Sequence, residues 1–303
     1  MDSLKVSSLY CFTQLDSINH KRELVLRSCL DLNVRGLIIL AEEGINGTIS
    51  GQMNNVDLVV EKLKKVINCY DINLKEAITD KNPFGRMKVK IKREIVTFGI
   101  KGLSISDESG EYVEPNEWNK VMHDKNVVTL DTRNDYEVAI GSFKGAINPN
   151  TKNFADFPDW WRKNSEKYKG KSIAMFCTGG IRCEKSTKFL LKEGVRKVYH
   201  LKGGILNYLE KYNGSRSQWE GECFVFDQRV SLGPNLEQGS CKLCFACRHP
   251  LRPSDLTHQY YEEGVSCHNC FENTDQERKN SFRERQKQIK LFNQKGEKHL
   301  KHF

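Results

Sequence analysis

Long apolar runs are missing from this sequence, and so are the usual signs of a membrane or secreted protein. No stretch approaches the roughly 20 apolar residues that a membrane-spanning helix needs, and residues 1–5 lack the charged and then apolar pattern of a signal peptide. An internal repeat with a period of roughly 20 to 50 residues is also absent, which argues against a solenoid or propeller. We therefore expect a soluble, cytoplasmic protein with no membrane partner.

Length and charge set further limits. The 303 residues include 48 Lys and Arg against 39 Asp and Glu, a net charge of +9. This excess is compatible with a polyanionic partner such as a nucleic acid, but it is too small to prove one. A chain of this length is expected to form two or three domains, each with its own core.

The first third of the chain alternates between strand and helix patterns. Strands are predicted at 8–15, 36–41, 45–50 and 87–98, and helices at 19–32 and 56–67. The order β-α-β-β-α-β is that of a ferredoxin-like (acylphosphatase-like) α+β domain. We assign this domain to residues 1–105.

Two features of this domain are candidates for substrate contact. Residues 42–48 form either a hairpin turn that needs positive φ or a substrate-facing loop. A strict alternation places Arg86, Lys88, Lys90 and Lys92 on one face of a strand. Such a row either follows a phosphate backbone, with Lys88 and Lys90 as substrate-binding residues, or forms a solvated edge that prevents aggregation.

The most informative stretch is Cys177-Thr178-Gly179-Gly180-Ile181-Arg182-Cys183. The apolar run 172–176 before it is typical of a buried strand, and 183–193 after it is typical of a helix that ends at Gly194. Loop amides and the positive end of a helix dipole therefore converge near the first cysteine. Such surroundings lower a thiol pKa and favour the nucleophilic thiolate. An inert cysteine in a glycine-rich turn is the alternative.

Each residue of this loop has a predicted role. We predict Cys177 as the catalytic nucleophile, Arg182 as a fixed positive charge and Cys183 as a second thiol that either resolves a persulfide or only packs. The remaining loop residues are candidates for substrate binding: Thr178, Gly179, Gly180 and Ile181.

The spacing Cys-x4-Arg is one residue shorter than the Cys-x5-Arg loop with which phosphatases enclose a phosphate. A shorter loop suits one extra sulfur atom on the cysteine, a persulfide, and at this point the chain resembles the rhodanese domain. The resemblance extends to Asp-x-Arg at 131–133, Gly-Ala-x-Asn at 145–148 and Leu-x-Gly-Gly-Ile at 201–205. It implies a central parallel-sheet domain, which we assign to residues 106–220. Asp131 and Arg133 either order the cysteine loop or form an ordinary ion pair.

Cysteines recur near the C-terminus. In a reducing compartment, 11 cysteines favour thiol chemistry and metal binding over a disulfide framework. Four of them have the spacing Cys-x2-Cys-x19-Cys-x2-Cys, which predicts a structural Zn²⁺ site: Cys244, Cys247, Cys267 and Cys270. Cys241, His249 or His268 could replace one ligand, and unligated thiols are the alternative. We assign residues 221–303 to this cysteine-rich zinc-binding segment and its basic tail.

The tail itself is strongly basic. Residues 278–301 contain nine Lys or Arg against two Glu, with apolar residues interleaved. This pattern predicts either a solvated tail or a helix that docks or binds RNA.

The whole chain resembles the oxygen-dependent tRNA uridine(34) 5-hydroxylase family. The resemblance rests on residues 41–48 (Ala-Glu-Glu-Gly-Ile-Asn-Gly-Thr), the loop 177–186, residues 222–227 (Glu-Cys-Phe-Val-Phe-Asp) and the paired Cys-x2-Cys motifs. It implies 5-hydroxylation of the uridine at position 34 of tRNA with molecular oxygen as co-substrate. It also implies that Cys177 is the catalytic, persulfide-forming cysteine.

The sequence leaves part of the chemistry open. No flavin or nicotinamide motif and no iron-binding triad is recognisable, so the activation of oxygen and the electron or sulfur donor stay unexplained. We hypothesise that Cys177, or its persulfide, adds to the uracil ring and makes C5 electron-rich enough to react with oxygen. Two other functions fit parts of the chain: a rhodanese sulfurtransferase and a non-catalytic RNA-binding zinc protein.

Overall fold

The computed structural model describes residues 3–104, 107–212 and 216–295. The N-terminal part forms a five-stranded sheet covered by two helices. Its elements are β1 Leu4–Phe12, α1 Ile18–Asp31, β2 Arg35–Ala41, β3 Gly44–Gln52, α2 Met53–Ile67, β4 Asn73–Thr79 and β5 Met87–Ile91. The strand order is β4-β1-β3-β2-β5, and only the β2–β5 pair is parallel.

The core of this domain follows from the periodicity of α2. Apolar residues recur three and four positions apart along this helix, so one face is buried against the sheet: Val56, Val59, Val60, Leu63 and Ile67. The sheet contributes Ile38, Leu40, Ile45 and Ile49, all with no exposed surface. The predicted α+β class is confirmed.

One strand of the predicted set was wrong. The strand that completes the β-α-β-β-α-β order is β4, which pairs with β1, whereas β5 is an additional edge strand beside β2. The charged residues Lys75 and Glu76 weaken the strand pattern of β4, an edge strand in which no residue is fully buried. The chain leaves the sheet after Ile91, and by Phe98 it is buried in the core of the next domain.

The central part of the chain forms a parallel four-stranded sheet with the order β6-β10-β9-β7. Its elements are β6 Glu111–Val113, α3 Pro115–His123, β7 Val127–Asp131, α4 Asp135–Val138, β8 Gly141–Phe143, α5 Phe157–Asn164, β9 Ser172–Phe176, α6 Ile181–Lys192, β10 Val198–Leu201 and α7 Gly204–Lys211. The apolar run of β9 lies between two neighbouring strands and is buried on both faces, as its composition predicts. The short edge strand β6 is not among the strands predicted from the sequence.

Beyond α7 the chain folds back on the central domain. Its elements are β11 Trp219–Gly221, β12 Cys223–Phe224, β13 Ser231–Leu232, β14 Lys242–Leu243, β15 Pro250–Leu251 and α8 Gln276–Gln294. β11 pairs with β8, which anchors this segment to the central domain. The basic run is therefore a helix over most of its length, although Lys298 and Lys301 lie outside the described residues. Among the helices described, none combines the length and apolar character needed to cross a membrane.

One cysteine pair departs from the expectation of free thiols. Cys11 on β1 and Cys69 after α2 are joined by a disulfide, while the other nine cysteines are free. The two residues are 58 positions apart, so no local pattern in the sequence could have paired them.

Candidate active site

The cysteine loop connects β9 to α6. Cys177 follows the last residue of β9, and Gly180 precedes the first residue of α6 with a φ of 100°. In this left-handed conformation a side chain would be strained. The backbone N–H of Gly180 points back and donates a hydrogen bond to Cys177 Sγ at 3.1 Å. The loop therefore curls around the sulfur atom.

A second helix fixes the outer side of the loop. The first turn of α7 donates hydrogen bonds from Ile205 N–H to Cys177 O (3.0 Å) and from Leu206 N–H to Thr178 O (3.1 Å). Gly204 makes this approach possible, because a Cβ at this position would lie 2.5 Å and 2.6 Å from those two carbonyl oxygens. Its φ of 65° also excludes most other residues. The Gly203-Gly204 pair after β10 therefore allows α7 to pack closely against the cysteine loop.

The thiol of Cys177 is poised to ionise near neutral pH. Burial alone would raise its pKa, but the Cys183 thiol, the Arg182 guanidinium and the N–H groups of both residues together lower it to about 7. Burial and the neighbouring Cys177 raise the pKa of Cys183 well above its usual value. When the pair loses its first proton, near pH 7, the negative charge is therefore on Cys177 and the remaining proton is on Cys183.

Arg182 is held in place by an acidic residue from another helix. Its two terminal nitrogens each lie 2.9 Å from a carboxylate oxygen of Glu137 on α4. Burial opposes the charge of Arg182, but the ion pair with Glu137 outweighs it and raises the arginine pKa. Glu137 also accepts a hydrogen bond from Asn134 N–H and caps its own helix. The positive charge near Cys177 is therefore permanent and fixed in position.

The end of β7 reaches the loop through Thr132. This residue donates two hydrogen bonds to Phe176 O, from N–H at 3.0 Å and from Oγ1 at 2.9 Å. Its Oγ1 also lies 3.8 Å from Cys183 Sγ. Asp131 and Arg133 instead form a fully buried ion pair with each other (2.6 Å). Of the two roles predicted for Asp131 and Arg133, the structure shows the ion pair. Thr132, which lies between them in the sequence, makes the contact with the cysteine loop.

The N-terminal domain also contributes to the site. Tyr10 on β1 donates a hydrogen bond from Oη to Glu184 Oε1 at 3.2 Å. The same hydroxyl would lie 2.9 Å from a Cβ placed on Gly180. Lys185 on α6 forms ion pairs with Glu43 (2.8 Å) and Glu94 (2.7 Å). Of residues 42–48, Glu42 and Glu43 therefore make the β2–β3 hairpin turn, the rest belong to β3, and Glu43 forms a contact between domains.

The cysteine is enclosed on most sides. Only 1% of Cys177 is exposed, and it packs on the apolar core of the central domain. The open side of the loop is at Gly179, where an added Cβ would meet no atom within 4 Å. The backbone of Gly179 is therefore accessible from outside, whereas almost none of the Cys177 side chain is.

Relatives with known names match this chain over almost its full length. Models of a UPF0176 acylphosphatase-like domain and of a rhodanese-like domain match residues 4–95 and 114–211. The tRNA uridine(34) hydroxylase of Ruegeria pomeroyi is 50% identical over 97% of this chain and 98% of its own length. Proteins of the same name from Roseobacter denitrificans and Brucella anthropi are 49% and 46% identical over 94% and 97% of this chain, and over 97% of their own lengths in both cases.

The chain belongs to the tRNA uridine(34) hydroxylase family. This confirms the family resemblance and the fold class predicted from the sequence.

The four C-terminal cysteines that the sequence predicts as zinc ligands lie together in the structure. Distances between their Sγ atoms are 3.6 Å for Cys247–Cys267, 3.8 Å for Cys267–Cys270 and 4.0 Å for Cys244–Cys270. Tetrahedral zinc with Zn–S bonds of about 2.3 Å implies S···S separations of roughly 3.8 Å. The cluster could therefore hold a metal ion, and its size is compatible with zinc.

Cys241 does not belong to this cluster. It packs with Ile140, Phe224 and Val230, and its N–H lies 3.3 Å from a Glu222 carboxylate oxygen. The spacing with Cys244, which made Cys241 a possible ligand, reflects the short β14 strand between the two residues.

The predicted phosphate-binding lysines lie on the edge strand of the N-terminal sheet. Lys88 and Lys90 are exposed on β5, with Val89 buried between them, as the alternation predicts. Burial and then the neighbouring cations Arg86, Lys90 and Arg248 lower the pKa of Lys88. The edge of the N-terminal sheet and the cysteine-rich segment thus bring positive charges together, and a role in substrate binding stays a prediction.

Three site residues were not found from the sequence. Glu137 fixes Arg182 from 45 positions away, Thr132 was overshadowed by its charged neighbours, and Tyr10 belongs to another domain. The only available signal was the Tyr-Glu pair at 136–137 that follows the Asp-x-Arg strand end. None of these contacts is between residues close enough in sequence to form a recognisable motif.

Proposed function

We propose that this protein hydroxylates the uridine at position 34 of tRNA at C5, with molecular oxygen as co-substrate. The observation that carries the proposal is the cradle around Cys177, in which amides, the Cys183 thiol and Arg182 lower the thiol pKa to about 7. The names of its relatives give the substrate. In this role Cys177 is the nucleophile, Arg182 a fixed charge, and the surrounding loop (Thr178, Gly179, Gly180 and Ile181) the contact surface for the base.

The chemistry follows from a nucleophilic thiolate. Addition of Cys177 Sγ to the uracil ring breaks the C5–C6 double bond and places an electron pair at C5, which can then react with oxygen. Transfer of one oxygen atom to C5, followed by loss of the C5 proton and of the Cys177 thiolate from C6, restores the C5–C6 double bond. The second oxygen atom leaves as water after uptake of two electrons and two protons, which a thiol reductant can supply.

The test is a tRNA modification assay with the purified protein. tRNA that lacks the modification is incubated with the protein, dithiothreitol and ¹⁸O-labelled oxygen, and its nucleosides are analysed by mass spectrometry. We expect one ¹⁸O atom on uridine 34 with the wild type and with Cys241→Ser, and none with Cys177→Ser. Hydroxylation by Cys177→Ser, or incorporation of unlabelled oxygen by the wild type, would refute the proposal.

A sulfurtransferase is the second candidate, favoured by the same 3.1 Å Gly180 N–H···Sγ contact, which would equally stabilise a persulfide on Cys177. The thiosulfate-to-cyanide assay separates the two reactions. Thiocyanate formation without uridine hydroxylation would favour sulfur transfer. If Cys177→Ala bound tRNA normally and the wild type catalysed neither reaction, the protein would be a non-catalytic RNA-binding protein.

We further propose that the four-cysteine cluster (Cys244, Cys247, Cys267 and Cys270) holds one structural Zn²⁺. Four thiolates leave the ion no open position for catalysis.

The proposed domains are residues 1–105, 106–220 and 221–303. Because its substrate is tRNA, we place the protein in the cytoplasm.

A further inference from the structure

An exposed aromatic side chain lies beside the active-site arginine. Phe226 is 65% exposed, and its ring centroid is 5.9 Å from Cζ of Arg182. A neighbouring ring, that of Phe224, meets it edge to face at 5.1 Å. Phe224 itself is 4% exposed. The buried ring of Phe224 therefore supports the exposed ring of Phe226.

The turn that carries Phe226 is rigid. Val225 N–H donates to Val230 O at 2.9 Å and closes the turn. Inside it, Arg229 donates from Nε and Nη2 to the two carboxylate oxygens of Asp227, at 2.9 Å and 2.6 Å. Both of these side chains are buried. A ring held on such a turn loses little conformational entropy when a planar ligand packs against it.

The same turn joins two parts of the molecule. Gln228 N–H donates to Pro83 O at 3.2 Å, in the loop that leads to β5. The turn that carries Phe226 therefore contacts the N-terminal domain, while Phe226 itself lies beside the Arg182 guanidinium. The edge strand that follows Pro83 carries the exposed cations Lys88 and Lys90, which suit a phosphate backbone.

We propose that Phe226 stacks on the uracil base that is presented to the Cys177 loop. Proteins that recognise unpaired nucleotides stack the bases on aromatic rings and on arginine planes, and here both kinds of group are adjacent. The fixed charge of Arg182 also attracts the face of the Phe226 ring and helps to hold that ring beside the loop. This inference rests on the proposed function, because it takes the substrate to be an unpaired uridine in RNA.

Kinetics of Phe226 variants test the contact. Loss of one base-stacking interaction should lower kcat/KM by roughly 5- to 150-fold. We expect this loss in Phe226→Ala and in Phe226→Leu, which keeps apolar bulk without an aromatic face, and near-normal values in Phe226→Tyr. Leu58→Ala, which truncates another exposed apolar side chain, is the control and should match the wild type. Wild-type kinetics for Phe226→Leu would overturn the proposal.

Alkylation of Cys177 without RNA distinguishes stacking from a covering role. A ring that acts only on the base leaves the rate of iodoacetamide labelling unchanged in Phe226→Ala. A faster rate would show that the ring covers the thiol, and it would also overturn the proposal.

Photocross-linking tests the same contact without turnover. An anticodon stem-loop with 5-iodouridine at position 34 is irradiated with the protein, and tryptic peptides are sequenced by mass spectrometry. We expect the cross-link at Phe226, and its loss in Phe226→Ala. A cross-link at another residue contradicts the inference whether or not the protein hydroxylates uridine. A cross-link at Phe226 with no hydroxylation would support the stacking contact and refute the proposed reaction.

Discussion

Removal of the Arg182 charge should make Cys177 a weaker acid. The wild-type pKa of about 7 implies that roughly half of Cys177 is thiolate at pH 7. An opposite charge close to a titratable group shifts its pKa by about 1 to 3 units. In Arg182→Gln the pKa of Cys177 should therefore rise to between about 8 and 10. The thiolate fraction at pH 7 then falls by at least about 5-fold, and the rate of alkylation falls with it.

The assay is iodoacetamide labelling across pH 5 to 10. In the wild type, trypsin releases Ser172 to Arg182 as one peptide whose only cysteine is Cys177. In Arg182→Gln the cleavage site is lost, so fragment ions separate Cys177 from Cys183. The midpoint of the rate profile should lie near pH 7 in the wild type and move upward in the variant.

Two further variants isolate the cause. Arg182→Gln leaves the Glu137 carboxylate buried without its partner, so the double variant Arg182→Gln/Glu137→Gln removes both charges and should still show the raised midpoint. Arg162→Gln removes a half-exposed arginine that pairs with Glu193 and should not move it. An unchanged midpoint in both Arg182 variants would refute the electrostatic account of the cysteine loop.

Three other predictions concern stability and metal binding. Gly204→Ala places a Cβ against two carbonyl oxygens and should lower the free energy of unfolding by more than Gly194→Ala does. The Cβ of Gly194→Ala meets no atom, so this variant costs only about 1–2 kcal/mol of left-handed backbone strain. Urea unfolding measures the free energy of unfolding of both variants. Cys267→Ser should lose bound zinc by elemental analysis, whereas Cys241→Ser should keep it. Glu222 accepts five hydrogen bonds from Ser231, Ser240 and Cys241, which outweigh the effect of burial and lower its pKa to about 2. Glu222→Gln should therefore lower the free energy of unfolding by about 1.5–3 kcal/mol at pH 7.

The pH dependence of the last variant has a defined sign. A carboxylate whose pKa is lowered by folding stabilises the protein at pH values above its usual pKa of about 4.5. This stabilisation is lost as the pH falls towards 2. The gap in thermal midpoint between wild type and Glu222→Gln should therefore narrow between pH 5 and pH 3. A constant gap would contradict the assignment. Equal costs for the two glycine variants, or full zinc content in Cys267→Ser, would contradict the other two predictions.

Local patterns predicted most of the fold. The helical period of α2, the apolar run of β9 and the strand-loop-helix around Cys177 are all set by residues within a few positions of one another. Strands with weak patterns were missed or misplaced, such as the charged β4 and the three-residue β6. Edge strands bury little surface, so their sequences are under less hydrophobic constraint than those of central strands.

The sequence by itself determined the cysteine loop, the arginine within it and the four-cysteine motif, because the residues within each of these units are fixed at short spacings along the chain. Only the tertiary structure decided what surrounds them. Glu137 reaches Arg182, Tyr10 reaches Glu184 and Phe226 reaches the loop across gaps of more than 40 positions. Such contacts depend on how sheets and helices pack, and side-chain packing between distant segments leaves no periodic trace in a single sequence.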